Sequence, residues 1–131
     1  MIGLDTNVLV RYITQDDDKQ SALSNSLIDS LDESSPGYVT LATVAELNWV
    51  FESVYGVTRQ QFVEVMQTLM SLDSIKLDRV AVVASAVRMY ADSKADFSDC
   101  LIERLCAHAG CHRTMTFDKA AAKLAGMVLI G

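Results

Sequence analysis

The sequence predicts an α/β domain of three layers, α/β/α, around a central parallel sheet. Two observations lead there. Short apolar runs alternate with stretches of helical periodicity along the whole chain. No hairpin turn signal joins consecutive apolar runs, so the strands must be connected by crossovers and lie parallel, with helices covering both faces. At 131 residues the chain has room for one such domain and for no second core, so residues 1–131 are expected to form a single functional unit.

The elements follow in order. Residues 2–4 form a short apolar strand that stops at Asp5, and Val8, Leu9, Tyr12 and Ile13 recur at helical spacing just after it. The polar break at 15–18 offers caps for a second helix with apolar positions Ala22, Leu23, Leu27, Ile28 and Leu31. Tyr38, Val39 and Thr40 suit a buried strand, followed by a helix over 41–55 that Gly56 stops. Thr58 caps the next helix, through Phe62, Val65, Met66, Leu69 and Met70. A strand over 74–77 leads to an alanine- and valine-rich helix opened by Asp78 or Arg79 and ending near Ala91. A helix over 96–109 ends at Gly110, with Leu101, Ile102, Leu105, Cys106 and Ala109 on its core side. Residues 113–117 form a strand that again ends in an acid, Asp118. A short helix over 119–124 and a strand over 127–130 complete the order.

Composition excludes several classes. No uncharged apolar run reaches the roughly 18 residues of a membrane span, and the N-terminal segment lacks the basic flank of a signal peptide, so a cytoplasmic location is expected. Three cysteines, an odd number, argue for reduced thiols over a disulfide framework. Eleven basic against seventeen acidic residues, a net charge of −6, disfavour a simple electrostatic binder of nucleic acid unless a cation neutralises some of the acids. Phosphate loops, dinucleotide fingerprints, esterase elbows and zinc-protease motifs are absent from the sequence.

The placement of the acids is more informative than their number. Asp5 and Asp118 each stand where a strand gives way to a helix, the end of a parallel sheet at which ligands bind; Asp5 also suits a helix N-cap. Glu46 is the only charged residue between Glu33 and Glu52 and lies in a largely apolar helix without a basic neighbour one turn away. It is either a carboxylate needing compensation or part of an exposed stripe with Thr43 and Val50. Asp96, Asp99 and Glu103 share an arc of roughly 60° on one helix. Asp96 also suits an N-cap, Asp99 the positive end of the helix dipole, and Glu103 the rim. Carboxylates from four separate segments have one economical explanation: they converge on Mg2+ or Mn2+, hard cations that favour oxygen and bridge protein carboxylates to phosphate.

The stretches DTNVLVRYI, TVAELNWVFESVYG, ADFSDCLIERLCAHAGC and TMTFDKAAAKLAG, in that order, resemble the PIN-domain ribonucleases, specifically the VapC-type toxins of toxin-antitoxin pairs. The resemblance spans essentially the whole chain. It implies a PIN-like α/β/α fold and Mg2+- or Mn2+-dependent hydrolysis of RNA by an acidic quartet, here Asp5, Glu46, Asp99 and Asp118. Asp96 matches an additional acid of ADF-type members and could join Asp5, Asp99 and Asp118 on the metal. Thr116 matches a hydroxyl position beside the site, while Thr6 and Asn7 complete the DTN signature. Cys100, Glu103 and Arg104 depart from the family's usual small or apolar residues. The resemblance further implies a cognate small antitoxin and a homodimer. Trp49, Phe51, Tyr55, Phe62, Val65, Met66, Leu69 and Met70 crowd two consecutive helices, and some are expected at an interface unless the helix pair buries them internally. The contrasting expectation is a non-catalytic module whose acids grip a basic partner protein. A flap-type DNA nuclease is a third, disfavoured because the chain lacks the extra helical regions needed to thread DNA.

Overall fold

The computed structural model describes residues 1–131, in two compact units, Met1–Asp78 and Arg79–Gly131. The first contains β1 (Ile2–Gly3), α1 (Thr6–Thr14), α2 (Asp18–Asp29), β2 (Gly37–Val39), α3 (Leu41–Ser53), α4 (Arg59–Ser71) and β3 (Ile75–Leu77). The second contains α5 (Val80–Ala91), α6 (Phe97–His108), β4 (Met115–Thr116), α7 (Lys119–Leu124) and β5 (Val128–Leu129).

In the first unit the strands run in the order β1-β2-β3, all parallel, with Gly37 opposite both Ile2 and Ile75. A side chain at Gly37 would place its Cβ 2.5 Å from Leu4 Cδ1 and 2.9 Å from Leu31 Cδ1, so the middle strand opens with the residue that has none. Leu9, Val39, Val44, Leu47, Phe62, Met66 and Leu69 are fully buried, so strand and helix faces meet in one core. Phe51 is buried as well, which makes most of the aromatic and methionine content of α3 and α4 internal packing; Trp49 and Val54 are left exposed.

The α2 surface differs from expectation. Ser21, Ser24 and Ile28 are its buried positions, while Leu23 is 64% exposed. Ser21 Oγ donates to the Arg11 carbonyl at 3.1 Å, so small hydroxyl side chains let α2 lie close on α1 where leucine would hold it off. Thr40 caps α3 instead of extending β2, its hydroxyl accepting from the Thr43 N–H. Gly56, at φ +63°, follows α3 as expected.

In the second unit α5 and α6 pack on each other through Val83, Ala86, Tyr90, Phe97 and Cys100, all buried. Tyr90 and Phe97 meet edge to face with ring centroids 5.6 Å apart. The core side of α6 is therefore Phe97, Cys100 and Leu101; Ile102, expected there, is 49% exposed and Ala109 is exposed too. β4 and β5 pair in parallel, Met115 opposite Val128 and Thr116 opposite Leu129, with α7 as their crossover.

Candidate active site

Two groups of acids stand out, one in each unit. In the first, Leu4 is buried at the end of β1 and anchors the chain as it turns into α1. Asp5, the next residue, is extended and exposed, and its Oδ1 accepts from the Thr6 N–H at 2.8 Å. The N-cap role is therefore real, and it uses one carboxylate oxygen only. Thr6 is buried, and its hydroxyl donates to Glu46 Oε1 at 2.6 Å, tying the start of α1 to the middle of α3.

Glu46 itself is exposed, so the burial cost that its apolar helix suggested does not arise. Nor does it share an exposed stripe with Thr43, which is buried. Its compensation is a neutral hydroxyl. Asp5, Thr6, Asn7 and Glu46 line a cleft of about 350 Å3 whose remaining walls include Arg11 and Tyr55, with Val50 and Val54 as its apolar side.

In the second unit Asp96 occupies the N-cap position of α6, yet its side chain makes no capping hydrogen bond. The carboxylate is exposed and uncommitted to the helix, so the N-cap explanation of this acid fails. Asp99 lies half-buried in the first turn. Burial, followed by the negative charges of Asp96 and Asp118, raises its pKa above the ordinary carboxylate value.

Asp118 caps α7 through Oδ1, which accepts from the Ala121 N–H at 3.0 Å, while its own N–H donates to Thr116 Oγ1 at 3.0 Å. Thr116 thus shapes the turn that carries Asp118, whose charge acts on Asp99. Glu103 is not part of this acidic group: its carboxylate accepts from Arg104 Nε at 2.5 Å and Nη2 at 2.9 Å, and its side chain is only 14% exposed.

Both groups are oxygen-only donor sets without histidine or cysteine, the chemistry a hard divalent cation prefers. No three His, Cys, Asp or Glu side chains lie close enough together to hold a metal. Tyr55, expected either at an interface or in the core of the helix pair, lies on the wall of the Asp5–Glu46 cleft. No local sequence signal marks it, because its partner Asp16 lies thirty-nine positions away.

A family model described as PIN domain matches residues 2–127. A VapC ribonuclease from Aquifex aeolicus (strain VF5) is 21% identical over 121 residues, covering 92% of this chain and 90% of that protein. No helix is long and apolar enough to cross a membrane.

Proposed function

The chain belongs to the PIN-domain family, and from that premise we propose that it is a Mg2+- or Mn2+-dependent endoribonuclease, the toxin of a toxin-antitoxin pair. The similarity to a VapC ribonuclease along nearly the full length of both chains supports the ribonuclease reading. The observation that carries the chemistry is the grouping of acids that enter no ion pair: Asp5 with Glu46 in one cleft, Asp99 pressed by Asp96 and Asp118 in the other group. In this reading residues 1–131 act as one nuclease domain, and Asp5, Asp99 and Asp118, with Asp96 in support, hold the cation.

A divalent cation there would offset the repulsion among the carboxylates, acidify a water and stabilise charge on the phosphodiester. The residues' own work is positional and acid-base. Asp5 and Asp118 each commit Oδ1 to a helix cap, which fixes the rotamer and leaves Oδ2 available. Glu46 orients or deprotonates the attacking water through Oε2, because Oε1 is held by the Thr6 hydroxyl. Asn7 completes the turn after Asp5 and lines the same cleft.

The test is direct. Purified protein incubated with structured RNA should cleave it with Mg2+ and not in EDTA, and Asp5→Asn, which removes charge at constant size, should abolish cleavage while the protein stays folded. Full metal-dependent activity in that variant would refute the site assignment. Tight binding of a basic protein segment with no RNA turnover would favour a non-catalytic acidic module instead. The partners in this reading are RNA, a small antitoxin whose basic arm suits the acidic cleft, and a second copy of the chain. Exposed Trp49 on α3 is among the large apolar side chains available for an interface. A sedimenting monomer at tens of micromolar, roughly the range of a weak interface, would count against the homodimer.

A further inference from the structure

An enzyme acting on a polyanion with a net charge of −6 needs a cation beside its acids. The Asp5–Glu46 cleft has one, since Arg11 is the sole basic residue among those lining it. Its guanidinium is not spent on the cleft acids. Nε donates to Gln20 Oε1 at 2.7 Å, and Nη1 donates to Asp16 Oδ1 at 2.9 Å and to the Tyr55 hydroxyl at 3.2 Å. Those bonds use three of the five N–H groups and leave the pair on Nη2.

The anchor is itself braced. Asp16 accepts from the Thr14 hydroxyl at 2.7 Å and the Tyr55 hydroxyl at 2.8 Å as well as from Arg11. Gln20 comes from α2, Asp16 from the α1–α2 connection and Tyr55 from just beyond α3, so three separate segments converge on one side chain. Such a frame contributes little stability through its ion pair, whose partners are 30% and 41% exposed. What it does supply is an arginine fork ordered before any ligand arrives, and prior ordering removes part of the entropy cost of binding.

We propose that Arg11 is the phosphate-binding residue of this cleft, gripping one backbone phosphate of single-stranded RNA through the N–H pair of Nη2. The proposal rests on the ribonuclease reading above and adds to it the residue that holds the substrate backbone at the Asp5–Glu46 end. Asp16, Tyr55 and Gln20 are positioning residues that act through Arg11.

The test uses the full chain in two arms. In the first, Asp5→Asn, which leaves RNA uncut, is titrated with a fluorescent single-stranded RNA across a KCl series and followed by anisotropy. Adding Arg11→Gln should weaken binding about tenfold or more, as for a lost hydrogen bond to a charged group, and should flatten the log–log salt slope by about 0.7, one single-strand phosphate. Adding Arg11→Lys should keep the slope and lose part of the affinity, because charge survives and the braced fork does not. A merely structural role would leave the slope unmoved, and that result overturns the proposal, as does absence of RNA binding by Asp5→Asn at every salt concentration. If Arg11→Gln does not fold, Arg11→Lys decides the matter by its affinity, an unchanged value overturning the proposal. In the second arm, the unaltered protein is assayed for Mg2+-dependent cleavage. Cleavage together with an unchanged slope in Arg11→Gln removes the Arg11 assignment alone, whereas no cleavage removes the underlying reading with it.

Discussion

At the scale of single residues, Thr6 shows how a signature position works. It is buried, and its hydroxyl holds one oxygen of Glu46. Thr6→Val keeps the shape and removes that bond, so kcat for RNA cleavage should fall roughly tenfold, the equivalent of one modest hydrogen bond. Melting temperature should change little, and Thr6→Ser should restore the rate; wild-type turnover in Thr6→Val would show that Glu46 needs no such support. Asp16 gives a pH prediction. Hydrogen bonds from Thr14, then Tyr55, outweigh desolvation and with Arg11 lower its pKa from 3.8 to about 2. A carboxylate depressed in the folded state contributes stability that is present in full above its unfolded value and is lost as pH falls through its folded one. The melting-temperature gap between wild type and Asp16→Asn should therefore be level at neutral pH and close as the pH drops from 3.8 towards about 2. A gap unchanged over that window would refute the bonding described.

At the scale of elements, caps decide where helices begin. Thr58 accepts from the Gln61 N–H at 3.2 Å while Gln61 Oε1 accepts from the Thr58 N–H at 2.8 Å, a reciprocal capping box at the start of α4. Thr58→Ala should cost about 1 kcal/mol, which for a chain of this size lowers the melting temperature by about 3–5 °C. Calorimetry showing no loss would mean that packing of Phe62, Met66 and Leu69 alone sets that helix start. The α2 helix teaches the opposite lesson. Its leucines invited an apolar face through Leu23, but closeness to α1 selects Ser21 and Ser24 for burial, and hydrophobicity ranks second to fit when two helices lie near each other.

At the scale of the whole molecule, the proposed function assigns Asp5, Asp99 and Asp118 to binding of a divalent cation. Mg2+ binding only the folded state would then raise the melting temperature of the wild type. Asp5→Asn in the first unit and Asp99→Asn in the second should each abolish most of that rise. In EDTA, Asp99→Asn should melt above wild type, because burial and the charges of Asp96 and Asp118 penalise the Asp99 carboxylate. An Mg2+-induced rise that survives in either variant would remove that residue from the proposed cation ligands.

The order of strands and helices was legible in the sequence because apolar periodicity and capping residues are local: Thr58, Gly56 and the strand-ending Asp5 and Asp118 mark boundaries through interactions a few residues long. The candidate acids stood out for a related reason, since DTN, AEL, SDC and TFD, the runs that carry the family resemblance, are each a few residues long. Which neighbours those acids acquire depends on contacts between residues far apart in the chain, and only the tertiary structure decided it. The Thr6–Glu46 bond spans forty positions, and the Tyr55–Asp16 bond spans thirty-nine. The same reason explains why Asp96, an apparent N-cap, leaves its helix uncapped, and why Arg11, one of several basic residues without a distinguishing local pattern, stands braced on the cleft wall: side-chain rotamer and burial are set by packing partners that sequence distance conceals.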